Sequence, residues 1–181
     1  MQITPYHTAK IQPGDNLLTI LDHYLPKLRE KEIVAITSKI VSICQGRVVK
    51  DNKKVDKEEL IKNEADFYIE DKQLWERYHL MLAIKDNFLI PNAGIDESNG
   101  HDHFILWPQN IHQTTADIWN FLRKKYRLKH FGVVITDSHT QPLRWGTTGV
   151  GLSWCGFKPL KNYIGTPDIF GRKLRVTKQS L

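Results

Sequence analysis

Cysteine is almost missing from the sequence: Cys44 and Cys155 are the only two in 181 residues, far apart and outside any C-x-x-C pattern. They read as small core residues or free thiols, so a disulfide framework is not expected and a reducing cytoplasm is the expected compartment. Long apolar runs are missing too. None approaches the ~20 residues needed to cross a bilayer, and Met1-Gln2-Ile3-Thr4-Pro5 lacks the basic and apolar regions of a signal peptide. No internal repeat or low-complexity linker is visible. Hydrophobic residues at 40% and charged residues at 25% suit a soluble globular chain. The length suits a single domain over 1–181, with room for two lobes.

The net charge of +6 permits an anionic ligand without naming one. Basic residues cluster at Lys50, Lys53, Lys54 and Lys57, then at Arg123, Lys124, Lys125, Arg127 and Lys129. Phe121 and Tyr126 flank the second cluster, but their spacing fits the buried face of a helix as well as it fits base stacking. A solvated helix face is the better reading, and nucleic acid is not an expected partner.

Along the chain, Asp15 is placed to cap a helix whose Leu17, Leu18, Leu21, Leu25 and Leu28 share one face. Ile33 to Ile36 suits a buried strand, with another near Arg47 to Val49. The charge-rich stretch from about Asp56 to Tyr78 reads as helix, with Leu60, Ile61, Ala65 and Ile69 inward. Short strands are expected at Leu80 to Ile84, Phe88 to Ile90 and Phe104 to Trp107, with a polar loop from Pro91 to His103 between the last two. Thr114 is a candidate cap for a helix carrying Ile118, Trp119, Phe121 and Leu122. Phe131 to Thr136 is the clearest buried strand, and Leu174 to Thr177 the last one. Strands and helices mix without regular alternation, which predicts an α+β fold of mixed sheets with packed helices.

Two carboxylates stand apart from surface charge. Asp96 lies in a tight loop beside Gly94, Glu97, Ser98 and Asn99; Asp137 ends the most apolar strand. Each alone reads as a turn former or cap. Converging, they would suit an oxygen-loving Mg²⁺ or Mn²⁺ ion shared with substrate phosphates.

Asn92-Ala93-Gly94-Ile95-Asp96-Glu97-Ser98-Asn99 is similar to a metal loop usually read N-A-G-I-D-x-S-N. Gly132 to Ser138 is similar to a second metal-binding strand end, with Ser138 where Thr is usual. Ile33 to Ser42 is similar to a nucleotide-contacting segment, and Pro159-Leu160, Tyr163, Gly165, Asp168, Gly171-Arg172, Leu174 and Val176-Thr177 follow in register. In this collinear set the chain resembles the coenzyme F420-0:L-glutamate ligase family. The resemblance implies an F420-0 ligase-like fold in an intertwined homodimer. It implies a GTP-dependent ligase, with GTP as co-substrate and Mg²⁺ or Mn²⁺ as cofactor. The enzyme would join L-glutamate through a γ-glutamyl amide to a carboxylate acceptor, coenzyme F420-0 or a folate. By the same resemblance Asp96, Asp137 and Ser138 would bind metal, and Ser38 and Asn99 would touch the nucleotide. No catalytic residue is assigned.

The chain also departs from the family pattern. Ile43 stands where a nucleotide-contacting Lys is usual, Gln45 where a Glu is usual, Thr140-Gln141 where Gly-Arg is usual, and Gly149 where an acidic residue is usual. The sequence ends at Leu181, where typical relatives continue through another helix and a site-closing segment. Weaker GTP binding, and site closure by a partner subunit or another loop, are therefore expected. These departures keep a second reading open: a non-catalytic relative that binds metal or a phosphorylated ligand. His101-Asp102-His103 lacks a third ligand and reads as a polar strand entrance. His139 reads as a loop histidine. Gly146 to Gly151 lacks the ending of a Walker A loop. Trp107, Trp119, Trp145 and Trp154 read as core or interface residues.

Overall fold

Val34 and Ile36 are buried while their neighbours on the strand are not, so β1 (Ile33–Thr37) has one covered face. A computed structural model describes residues 2–141 and 143–180. In it β1 lies parallel to β7 (Gly132–His139), Ile33 opposite Gly132 and Thr37 opposite Thr136. A parallel pair needs a crossover connection, and here nearly a hundred intervening residues form it. On the other side of β7 runs β8 (Thr148–Cys155), antiparallel. Leu152 is the extra residue of a bulge there: Ile135 pairs with Ser153 but Thr136 pairs with Gly151. Bulges bend a strand and re-aim the side chains that follow, and Asp137 is the next residue but one after Ile135. β8 was not among the expected strands, because Gly149 and Gly151, which disfavour strands, stand among the alternating Val150, Leu152 and Trp154.

Helices cover this three-stranded sheet. α1 (Leu17–Tyr24) is capped by Asn16, whose Oδ1 accepts from Thr19 N at 3.0 Å. Asp15, the expected cap, instead accepts from Gln12 N at 2.7 Å. α2 (Ser38–Cys44) follows β1 without a loop. α5 (Ile111–Tyr126) buries Ile111, Thr115, Ile118 and Leu122 at helical spacing, and places Arg123, Lys124 and Lys125 at its negative end. It starts earlier than expected from Thr114, because the Thr114 hydroxyl is engaged by Gln45 Nε2 (3.2 Å) and Asn110 opens the helix in a left-handed conformation.

The expected single helix over 56–78 is two helices with a strand between them. α3 (Lys57–Glu64) is capped by Asp56 and α4 (Lys72–Tyr78) by Asp71, each accepting from two backbone amides. The second cap marks the break, but a uniformly charge-rich stretch conceals it. β3 (Phe67–Ile69) pairs with β4 (Leu82–Lys85), and β4 with β5 (Phe88–Pro91). Ile69 is 63% exposed rather than inward. β2 (Val48–Lys50) pairs with β6 (His103–Ile105). The last hairpin is β9 (Leu160–Asn162) with β10 (Lys178–Ser180), just past the strand expected at 174–177. The fold is α+β, with five α-helices, one mixed sheet and three small antiparallel sheets among the described residues.

Apolar side chains gather into two clusters. One joins α1, α2, α5 and the β1–β7–β8 sheet; the other joins α3, β4, β6 and the loop after β5. Arg47 ties elements together at their border: its Nε donates to Trp107 O (3.2 Å) and its Nη2 to Glu64 Oε2 (2.6 Å). Both partners of this ion pair are mostly shielded from solvent. Glu64→Ala is expected to cost about 2 kcal/mol, the usual loss for a charge-assisted bond of this kind. In a chain of this size that lowers Tm by roughly 6 °C, measurable by circular dichroism.

Candidate active site

The family-like loop after β5 is built by three consecutive residues with positive φ: Asn92 (54°), Ala93 (51°) and Gly94 (75°). Asparagine tolerates that conformation because its short amide bonds locally. Here Asn92 Oδ1 accepts from Met81 N (2.8 Å) and its Nδ2 donates to His79 O (3.2 Å), fastening the loop to the start of β4. Ala93 is fully buried, and nothing larger fits that position without displacing its cluster. Gly94 lies flat against the buried Trp107 indole, where a Cβ would fall inside the ring's van der Waals envelope. Beyond it, Asp96 and Ile105 exchange both backbone hydrogen bonds, at 2.9 and 2.8 Å. Asn-Ala-Gly thus turns the chain and hands Asp96 to the edge of β6.

Asp137 comes to the same place from the β7 end, and Ser38 from the junction of β1 and α2. Although 41 residues separate the two aspartates (137 − 96), both line one cavity of about 10 Å³ together with Ser38, Lys39 and Trp107. That is room for roughly one water molecule or one bare cation. Lys39 Nζ sits against Asp96 Oδ2 at 2.7 Å and donates to Ser98 O and Ser98 Oγ, both at 2.8 Å. Ser98 N in turn donates to Asp96 Oδ1 at 2.7 Å.

The two carboxyls are driven in opposite directions. Burial pushes Asp137 up, and the nearby Asp96 charge adds to it; bonds from the Ser138 amide and the Ser38 hydroxyl only partly offset this. Burial also acts to raise Asp96. There the Lys39 ammonium and the Ser98 hydroxyl and amide outweigh it and hold the group below the ordinary aspartate value. The split comes mainly from burial at Asp137 and from the Lys39 ammonium at Asp96, with like-charge repulsion a smaller contribution.

The other expected site residues are placed differently. Ser138 is exposed, and strand alternation turns its side chain to the face opposite Asp137; its amide, not its hydroxyl, bonds Asp137 Oδ1 at 2.8 Å. Asn99 is exposed on the loop just beyond Ser98, in a left-handed conformation (φ 59°). Sequence reasoning passed over Lys39 as a site residue, although it stands in the family-like Thr37-Ser38-Lys39 run next to Ser38. Gln45 has a structural role: its Nε2 donates to Gln109 O (2.9 Å) and its Oε1 accepts from Gln109 N (2.9 Å), latching the loop before α5. Ile43 is half-buried, and its carbonyl accepts from Gly14 N and Gly46 N. His103 opens β6, with its Nδ1 2.9 Å from His101 O, in keeping with a polar strand entrance. Trp107 is core and Trp119 Nε1 donates to Phe131 O, whereas Trp145 is fully exposed.

A hard divalent cation fits the donor set. The groups that converge are carboxylate and hydroxyl oxygens, the cavity has the size of one ion, and a cationic ammonium already lodges against Asp96. Among the described residues no group of three or more His, Cys, Asp or Glu side chains gathers at one point. An ion held by Asp96 and Asp137 would therefore complete its shell from hydroxyl, water and ligand oxygens.

Residues 6–181 match the family described as F420-0:Gamma-glutamyl ligase. The chain belongs to this family of γ-glutamyl ligases of coenzyme F420 biosynthesis. It is similar to the coenzyme F420:L-glutamate ligase of Methanosarcina barkeri, at 28% identity over 94% of this chain and 71% of the relative. The enzyme of the same name from Methanopyrus kandleri is 24% identical over 93% of this chain and 71% of its own length. The Halorubrum lacusprofundi enzyme is 27% identical over 95% and 73%. Among the described residues no helix is long and apolar enough to cross a membrane.

Proposed function

We propose that this chain is a GTP-dependent γ-glutamyl ligase that uses Mg²⁺ or Mn²⁺ to join L-glutamate to a carboxylate acceptor, coenzyme F420-0 or a folate. The observation that carries the reading is the convergence of Asp96, Asp137 and Ser38 from distant parts of the chain on one ion-sized cavity. The names of the relatives support glutamate as the amine donor and an F420 compound as acceptor.

The acceptor carboxylate oxygen takes the terminal phosphoryl group of GTP, releasing GDP. The glutamate nitrogen then attacks the activated carbonyl carbon, expels phosphate and loses a proton. A divalent ion on Asp96 and Asp137 would neutralise phosphate repulsion and stabilise the charge that develops during transfer. Ser38, buried at the start of α2, lines the same cavity as Asp137, and its hydroxyl acts to lower that carboxyl's pKa. Lys39 holds the Asp96–Ser98 turn and keeps a positive charge beside the cavity. The test is incorporation of labelled glutamate with GTP and each acceptor in turn, where amide product with either acceptor is expected. Absence of product with both, alongside intact metal binding, would favour the non-catalytic reading. That reading draws on Gln45, whose amide is spent on the loop before α5, and on the apolar side chain at Ile43.

A homodimer accompanies the proposal. Trp145, Ile169, Phe170 and Val176 are almost fully exposed apolar side chains, and a partner subunit would cover them. Light scattering at micromolar concentration is expected to report twice the chain mass, and a stable monomer would count against the intertwined arrangement.

A further inference from the structure

Behind Trp107 and Pro108, which also wall the Asp96–Asp137 cavity, a second and much larger cleft opens, with a volume of about 490 Å³. It lies between the end of α3, the β4–β5 turn and the loop leading to α5. Small-molecule sites fall in this size range but are usually apolar; this one is lined by charge of both signs. Arg47 and Lys85 supply cations, Glu64 and Asp86 supply carboxylates.

Arg47, Glu64 and Asp86 are held by neighbours and keep unused hydrogen-bonding capacity. Arg47 commits two of its five N–H donors, to Trp107 O and Glu64 Oε2. Asp86 Oδ2 accepts from Trp107 Nε1 at 2.8 Å, leaving its second oxygen. Lys85 Nζ is 3.7 Å from Asp66 Oδ1, too long to occupy it fully. The cleft is therefore lined by two cations and two carboxylates of balanced formal charge, with Arg47 and Glu64 paired to each other and Lys85 only loosely held. A neutral apolar ligand gains nothing from such walls, and a polyanion is repelled by two of them. A zwitterion with carboxylate and ammonium a few ångströms apart matches them.

We propose that this cleft seats the free α-amino acid, with Arg47 and Lys85 taking carboxylate and Asp86 and Glu64 taking the ammonium. The assignment rests on the ligase reading above, which makes L-glutamate the amino acid. The Trp107–Pro108 wall is common to this cleft and to the Asp96–Asp137 cavity, so the two sites are neighbours.

The test measures glutamate binding to the full chain by calorimetry, with and without Mg²⁺ and GDP, for wild type, Lys85→Gln and Asp86→Asn. Both variants remove one charge and leave the Asp96–Asp137 cavity untouched; Asn retains the acceptor for Trp107. Each is expected to weaken glutamate binding at least fivefold while the metal-dependent rise in Tm stays as in wild type. Glutarate, which lacks the ammonium, is expected to bind more weakly than glutamate and to ignore Asp86→Asn. In a ¹⁵N-resolved NMR spectrum the Trp107 indole N–H, identified by its loss of position in Asp86→Asn, is expected to move on adding glutamate. No glutamate binding under either condition, or equal affinity in all three proteins, overturns the proposal. The two readings fail separately. Glutamate bound through these residues without amide formation sinks the ligase reading alone. Amide formation with an unchanged KM for glutamate in both variants sinks the cleft alone.

Discussion

Gly94→Ala is expected to lower Tm by roughly 10 °C and to abolish most of the response to divalent metal. Two costs combine. A Cβ at φ 75° is strained by about 1–3 kcal/mol, and the new methyl would press into the Trp107 ring, an overpacking cost of about 1–3 kcal/mol. Trp107 cannot yield easily, because it is buried and its Nε1 is bonded to Asp86. A change of about 3 kcal/mol corresponds to roughly 6–12 °C in a domain of this size. Since Gly94 stands two residues before Asp96, relief of the clash shifts that carboxylate away from Asp137. Thermal denaturation with and without Mn²⁺ reads both effects. A Tm within 2 °C of wild type would show that the loop gives way freely and does not fix Asp96.

The second large effect concerns the cation itself. Lys39 and a divalent ion would compete for Asp96 Oδ2, so Lys39→Gln is expected to raise Mn²⁺ affinity at least tenfold and to lower Tm in metal-free buffer. Asp137→Asn is expected to act the other way. At a hundred times the dissociation constant, metal adds about 2.7 kcal/mol to the folded state, roughly 5–10 °C here, and this variant should lose most of it. It should also melt higher than wild type without metal, because a buried carboxyl beside Asp96 is relieved of repulsion. Asp102→Asn, in the polar entrance to β6, is the control and should respond as wild type does. Equal metal responses in wild type and Asp137→Asn would remove Asp137 from the site. A fall in Mn²⁺ affinity for Lys39→Gln would make the lysine a support for the ion rather than its rival.

What was legible in the sequence follows from how local each signal is. β1 and β7 are short, dense apolar runs with no other use, and both were expected where they lie. The Asn92–Asp96 turn was legible through its residue types, since Asn and Gly are what consecutive left-handed positions demand. β8 was not, because its glycines pair in a ladder whose stability comes from β7 and not from their own preference. β3 was hidden for a related reason: three residues between two charged helices carry too little pattern to oppose them. Asp96 and Asp137 were identifiable singly, but the role of Lys39 depends on a contact across 57 residues (96 − 39) that only the fold creates. Gln45 was legible only as a departure from a usual carboxylate; that its amide donates and accepts at the Gln109 backbone, in a way a carboxylate could not, appears only in the fold.

The parallel pairing of β1 with β7 sets a schedule for the chain as it is made. Thr37 must wait for Thr136, 99 residues later (136 − 37), before the strand end that carries Ser38 acquires its neighbour. At roughly 5–20 residues per second of synthesis, the exposed edge of β1 stands without its partner for about 5–20 s. In the last part of that interval, from Asp96 to Asp137 (41 residues, 137 − 96), the nascent chain holds Asp96, Lys39 and the Asn-Ala-Gly turn but not Asp137, so it can form the ammonium–carboxylate contact and not the two-carboxylate centre. In that order of assembly the Lys39 ammonium is available to Asp96 before the opposing aspartate is made.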